Sequence, residues 1–124
     1  MPYPHLNGAS ILVVEDEPLI VLDIVQAFEG TGAHLTTTNT LRHAQTLLEH
    51  HNLSAAMLDN GLPDGDGTSL CTHLTERRIP VLLYCGVRPM DGPCKDVPFL
   101  SKPATHEQLR DAMEALIGGG PAVA

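Results

Sequence analysis

At 124 residues the chain has the length of one ordinary domain, enough to bury a single core and too short for a second folded unit. Its 43% hydrophobic and 18% charged residues suit a globular protein and exclude a chain dominated by disorder. Fifteen acidic against seven basic side chains give a formal charge of −8, a field that repels phosphate backbones and anionic lipid, so neither nucleic acid nor membrane is expected as a direct partner.

The elements follow in chain order. Residues 1–8 read as an N-terminal extension; MPYPHLNGAS has neither the basic start nor the apolar heart of a secretory signal, and a cytoplasmic location is the expectation. Residues 10–15 (SILVVE) form a β-branched apolar run, a first strand. The segment PLIVLDIVQAFEG repeats Ile20, Ile24 and Phe28 at helical spacing, with Pro18 in the first turn and Gly30 or Gly32 as the stop. AHLTTT, residues 33–38, is a second strand. Residues 40–51 place Leu41, Ala44, Leu47 and Leu48 on one helical face, and LSAAML, residues 53–58, is a buried third strand that ends at Asp59.

A helix over residues 69–78 turns Leu70 and Leu74 inward. PVLLY, residues 80–84, is a fourth strand and residues 97–100 a fifth, with Pro98 placing that strand at a sheet edge because it lacks a backbone donor. The final helix opens with the capping-box pattern Thr105-x-x-Gln108 and lines up Leu109, Met113 and Leu116. GGGPAVA, residues 118–124, reads as a flexible tail. No apolar run approaches the roughly 20 residues that span a bilayer. The three cysteines, Cys71, Cys85 and Cys94, are odd in number and lack C-x-x-C spacing, so reduced thiols are expected in place of a disulfide framework or a zinc site.

Five strands alternating with helices imply right-handed crossovers and a parallel sheet covered on both faces. In such a sheet ligands gather beyond the carboxyl ends of the strands. The residues that follow the strands are Glu15 and Asp16 after the first, Asp59 after the third, Cys85 after the fourth, and Ser101 and Lys102 after the fifth. Three carboxylates at one rim repel one another unless a cation offsets them. Magnesium, with its preference for a few carboxylates plus phosphate oxygens, fits that need.

These residues resemble the receiver domains of two-component response regulators over residues 9–117. ILVVEDEP is similar to the first strand and acidic pair of that family, MLDNGLPDGDG to its acceptor aspartate and following loop, and FLSKP to its lysine-proline signature. The resemblance implies a doubly wound, flavodoxin-like α/β fold with a five-stranded parallel sheet in the order 2-1-3-4-5. It implies a single-domain response regulator in which Asp59 accepts a phosphoryl group from a histidine kinase or histidine phosphotransfer protein and the signal passes to a downstream protein. Glu15, Asp16, Asp59 and the backbone carbonyl of Gly61 would hold Mg²⁺ or Mn²⁺, Lys102 would pair with the acceptor carboxylate and then the phosphoryl oxygens, and Phe99 stands at the switch-aromatic position. Beyond self-phosphorylation and slow autodephosphorylation, no enzymatic activity is implied.

Two departures stand out. Cys85 occupies the position where the family places Ser or Thr, and a thiol is the weaker donor. The connection GVRPMDGPCKD, residues 86–96, carries Pro89, Gly92 and Pro93, so the fourth helix is expected to be absent or one turn long. Two other readings stay beside the first. One is a degenerate receiver that binds a partner without phosphoryl control. The other takes Asp64-Gly-Asp66-Gly-Thr68 as the D-x-D-x-T motif of haloacid-dehalogenase-type phosphatases with Asp64 as nucleophile, although no strand precedes it directly. A calcium loop fails because Thr68 and Thr75 stand where ligands are needed, and Gly65-x-Gly67 is a fragment of a dinucleotide fingerprint. Asp64 and Asp66 are expected to form a turn and cap the helix after it. His43, His73 and His106 are expected on solvent faces.

Overall fold

The computed structural model describes residues 3–59, 61–66, 69–89 and 91–119. In chain order the elements are β1 (Ser10–Val14), α1 (Pro18–Ala27), β2 (His34–Thr38), α2 (Leu41–His50), β3 (Ala55–Leu58), β4 (Gly61–Leu62), β5 (Gly65–Asp66), α3 (Ser69–Glu76), β6 (Val81–Cys85), β7 (Phe99–Ser101) and α4 (His106–Ile117). Five of the strands form one parallel sheet in the order β2-β1-β3-β6-β7. That is the flavodoxin-like order expected from the sequence, with β6 and β7 as its fourth and fifth strands. Residues 120–124 of the expected tail lie outside the described residues, as do Gly67 and Thr68 of the phosphatase-like motif.

The sheet divides the core in two because successive side chains of a strand face opposite ways. Leu12, Val14, Ala56, Leu58 and Leu83 point to one face, where Ala44 and Leu48 of α2 and Leu70 and Leu74 of α3 cover them. Ile11, Val13, Ala55, Met57, Leu82 and Tyr84 point to the other, against Ile24 and Phe28 from α1 and its end and Leu109 and Met113 of α4. Strands buried on both faces read as unbroken apolar runs, as SILVV, AAML and VLLYC do. Each fully buried Leu or Ile contributes about 1.5–3 kcal/mol relative to exposure.

Local signals set the boundaries. Pro18 starts α1, Thr40 caps α2 by accepting from the His43 N–H, and α4 carries the full reciprocal capping box between Thr105 and Gln108. Pro98 lies just ahead of the edge strand β7, its carbonyl accepting from the Leu83 N–H. Among the described residues of the 86–96 connection no helix forms; short turns such as Lys95 N–H to the Gly92 carbonyl take its place.

Three features depart from the sequence expectations. Cys71 of α3 and Cys94 of the connection are joined as a disulfide, their Cα atoms 5.6 Å apart, so only Cys85 is a free thiol. The odd count and absent C-x-x-C spacing argued against a framework, but they carry no information about a pair 23 positions apart that the fold brings together. Asp64 caps the helix before it: its carboxylate accepts from the N–H groups of Leu41 and Arg42 at the start of α2. It sits in the β4–β5 hairpin, an element too short to carry a periodic signal. There Gly65 has φ +143°, and a Cβ would stand 2.9 Å from the Leu41 side chain, so the glycine serves turn geometry and close approach. Third, His106 is only partly exposed and pairs with Asp23 of α1 at 2.8 Å.

The segment ahead of β1 is packed. Leu6 has no exposed surface, and Glu114 of α4 accepts from the backbone N–H groups of His5 and Leu6 and pairs with the His5 ring. Burial pushes the Glu114 carboxyl up, but the His5 backbone and ring contacts and the Leu6 N–H outweigh it and hold it below the usual range. The stability it contributes is therefore fully present above the ordinary glutamate pKa and is lost as pH falls through the lowered one. Glu114→Ala should cost about 1–3 kcal/mol, because backbone donors beside a buried leucine lose their acceptor. Urea unfolding at neutral pH measures it, and an unchanged midpoint would show that solvent replaces the carboxylate without loss.

Candidate functional site

Parallel strands end at one edge, and here the ladder reaches one residue past three of them. The Glu15 N–H donates to the Thr38 carbonyl, the Asp59 N–H to the Val14 carbonyl and the Lys102 N–H to the Cys85 carbonyl, each at 3.0 Å. The backbones of three residues distant in sequence are thus fixed by the sheet, and their side chains leave it on the same rim.

The carboxylates of Glu15, Asp16 and Asp59 each place an oxygen so that all three lie within 4.8 Å of one another. The Lys102 ammonium sits 2.7 Å from Glu15 and 3.4 Å from Asp59. The sequence reading paired Lys102 with Asp59; the structure gives its shorter contact to Glu15. The reason is burial: Glu15 is 2% exposed, so its charge has the least water and gains most from a cation. Desolvation pushes the Glu15 carboxyl up, opposed by Lys102 and reinforced by Asp59. Burial alone would lower the Lys102 ammonium, but Glu15 and then Asp59 hold it above its ordinary value.

One ammonium among three carboxylates leaves the rim negative. An octahedral Mg²⁺ with oxygens at about 2.1 Å sets neighbouring ligand oxygens about 3–4.2 Å apart. A set already gathered within 4.8 Å reaches that spacing by small side-chain rotations, and all-oxygen donors match a hard cation. Gly61 begins β4, two residues beyond Asp59.

Cys85 is fully buried at the end of β6, and its Sγ donates to the Val87 carbonyl at 3.4 Å. Burial pushes the thiol up, with Val87 opposing and Asp59 adding to the rise, so it is held as a thiol. Phe99 pairs in register with Leu83, is buried, and carries the Arg88 guanidinium over its ring at 5.1 Å. It belongs to the core beneath the rim and not to the cluster itself.

Asp64 stands apart. Both of its oxygens are engaged by α2, and those N–H groups, Leu41 first, hold its carboxyl below the usual range. A carboxylate so committed is a cap and not a poised nucleophile. A neighbour that the sequence did not disclose is His43, whose ring hydrogen-bonds the Thr38 hydroxyl at 2.8 Å. With Glu15, Asp16, Pro18, Val21 and Asn39 it lines a cavity of about 470 Å³ beside the cluster. Its place at the first turn of α2, facing the end of β2, is a tertiary fact that helical periodicity cannot report.

Comparison with known proteins agrees with this architecture. The family model of the response regulator receiver domain matches residues 11–114. The transcriptional regulatory protein TcrA of Mycobacterium tuberculosis is 31% identical over 126 residues, which cover 94% of this chain and 49% of that protein. BasR of Escherichia coli, another transcriptional regulatory protein, is 29% identical over 87% of this chain and 52% of its own length. The chain thus spans about half the length of these curated relatives. Among solved structures, a CheY-like response regulator receiver domain protein from Methanospirillum hungatei superposes with a TM-score of 0.80 at 20% identity, covering 90% of this chain and 94% of the other. The receiver domain of the sensor histidine kinase PA1611 from Pseudomonas aeruginosa, solved with a magnesium ion coordinated in its active-site cleft, gives 0.75 at 23% identity over 90% and 98%.

Proposed function

The chain belongs to the response regulator receiver domain family, and on that premise we propose that it accepts a phosphoryl group on Asp59 from a phosphohistidine of a histidine kinase or phosphotransfer protein. The observation that carries the reading is the convergence of Glu15, Asp16 and Asp59 with Lys102 at one sheet edge. In the transfer, an Asp59 carboxylate oxygen forms a bond to phosphorus as the phosphorus–nitrogen bond of the donor breaks. The imidazole leaves and takes a proton from solvent. Attack by an anion on an anion requires offset charge. Lys102 supplies it from this chain, and a Mg²⁺ or Mn²⁺ ion held by Glu15, Asp16, Asp59 and the Gly61 carbonyl would add Lewis-acid charge neutralisation.

Cys85 takes the place of a hydroxyl donor, and its S–H is directed to Val87. The phosphoryl group therefore has a weak handle on the following loop, and readout runs through Lys102 and the segment that carries Arg88 over Phe99. Hydrolysis of the acyl phosphate is slow and serves only to reset the signal. No helix among the described residues is long and apolar enough to cross a membrane.

Labelling with a small acyl phosphate and Mg²⁺ tests the proposal: a metal-dependent gain of one phosphoryl group, mapped to Asp59, is expected. Modification at Asp64, or labelling that ignores metal removal, would sink it. A protein donor must also cover the rim. The side chains of Leu19, 79% exposed, and Leu22, 52% exposed, stand on α1, whose first residue lines the cavity beside the cluster, and such exposed apolar groups mark contact surfaces. Leu22→Glu is expected to slow transfer from a phosphorylated histidine protein by roughly tenfold, the loss of one central apolar contact, while leaving labelling by the small donor unchanged. Equal slowing with both donors would count against this surface.

A further inference from the structure

The disulfide lies outside the phosphoacceptor cluster, and none of the chemistry above uses it. Of the described residues between Gly86 and Asp96, Cys94 alone is fully buried. Its neighbours Gly92, Pro93, Lys95 and Asp96 are exposed, and the segment has no helical or sheet ladder to hold it. Cys94 shares one core cluster with Cys71, Leu74, Cys85 and Phe99, on the sheet face that a fourth helix would otherwise cover. Among the described residues of this crossover a single fully buried side chain therefore serves as anchor, and it is the one that is covalently bonded to α3.

We propose that Cys71 and Cys94 are a reversible thiol–disulfide pair, through which a low-molecular-weight disulfide such as oxidised glutathione locks the 86–96 connection onto α3. In the exchange, opening of the turn-held connection brings Cys94, fully buried when the connection is closed, into solvent, where its thiolate attacks the sulfur–sulfur bond of the oxidant and releases one small thiol. The second cysteine then displaces the other small thiol from the mixed disulfide. The protein pair loses two electrons and two protons, and both leave with the two thiols formed.

Three observations support reversibility and consequence. Reduced, the pair becomes two small apolar groups whose sulfurs part from bonding to van der Waals separation, a shift that the turn-held Cys94 segment can absorb, so the rest of the core keeps its packing while the tether is lost. A crossover held by turns gains most from a tether, because its open forms are the most numerous. The segment also reaches the rim: it follows Cys85 directly, the Val87 carbonyl accepts from Cys85 Sγ, and Arg88 lies over Phe99. In a reducing compartment, disulfides that form are chiefly transient or sensing. The proposal goes beyond the phosphoryl reading and does not depend on it.

The test uses the full chain equilibrated with excess oxidised glutathione or with dithiothreitol. Expected for the oxidised sample are a mass two hydrogens lower, a crosslink mapped to Cys71 and Cys94, and amide exchange across 86–96 slowed roughly tenfold or more against the reduced sample, all reversed by dithiothreitol. The comparison needs no variant, so a folding defect cannot obscure it. Cys71→Ala/Cys94→Ala serves as a control that should exchange like the reduced form under both conditions. Full alkylation of both cysteines after oxidant treatment, a crosslink through Cys85, or equal exchange in the two states would each overturn the proposal. Asp59 labelling in the same samples reports separately on the phosphoryl reading.

Discussion

Asp59→Asn is expected to abolish acyl-phosphate labelling and, in the absence of metal, to make the protein more stable. Loss of the nucleophile should lower labelling by roughly a thousandfold or more. The gain in stability follows from the charges around it. At an effective dielectric constant near 20, two unit charges no more than 4.8 Å apart repel by at least about 3.5 kcal/mol, and Asp59 faces two such neighbours. Against this stands its attraction to Lys102, about 4.9 kcal/mol at 3.4 Å. The balance favours the neutral side chain by at least about 2 kcal/mol, and partial exposure reduces that to about 1 kcal/mol. A melting temperature about 3–5 °C higher than wild type is expected in chelator. The order should reverse in millimolar Mg²⁺, where the wild type alone recovers its full set of ligands. A variant that still labels, or one that melts lower in chelator, would contradict the reading of this rim as a strained acidic cluster.

Lys102→Ala is expected to cost about 2–3 kcal/mol in the metal-free protein, because it strands the Glu15 charge at 2% exposure beside Asp59. The lysine is 19% exposed, which places the loss below that of a fully buried pair. Glu15 has one escape, to protonate, and desolvation already pushes its carboxyl up. A carboxyl whose folded pKa lies above its unfolded one stabilises at low pH and loses that contribution as pH rises through the folded value. Removing Lys102 widens that window, so the deficit should be larger at about pH 8 than at about pH 5. Lys102→Met separates charge from packing over Tyr84, whose ring the ammonium approaches at 5.6 Å. Urea midpoints at both pH values check the claim, and a deficit that does not vary with pH would assign the effect to packing.

The sheet and its helices were legible because their signals are local. Runs such as SILVV and AAML announce buried parallel strands, Pro18 and Thr105 announce helix starts, and Pro89, Gly92 and Pro93 announce a crossover with no helix. The rim was legible for a different reason: in a parallel sheet, knowing where strands end is nearly the same as knowing what converges, so Glu15, Asp16, Asp59 and Lys102 could be grouped before any distance was known. What escaped depends on which surfaces meet. Asp64 was read as a cap for the helix ahead, but the hairpin folds it back onto α2. Cys71 and Cys94 were read as separate thiols, since nothing in their spacing shows that a crossover drops one beside the other. The preference of Lys102 for Glu15 over Asp59 rests on a difference in burial that residue types do not encode.

The contacts of Tyr3, His5 and Leu6 with Arg110, Asp111 and Glu114 span 107 to 109 positions. A ribosome adding roughly 5–20 residues per second needs between about 5 and 20 seconds to deliver the second group after the first. Throughout that interval Leu6 has no α4 to cover it, and the inner face of α1 lacks Leu109 and Met113. During synthesis Tyr3 and Leu6 therefore stay unpaired until α4 has been made, and their burial waits on it. Release of the helix that ends at Ile117 is then the step that completes the core around Leu6.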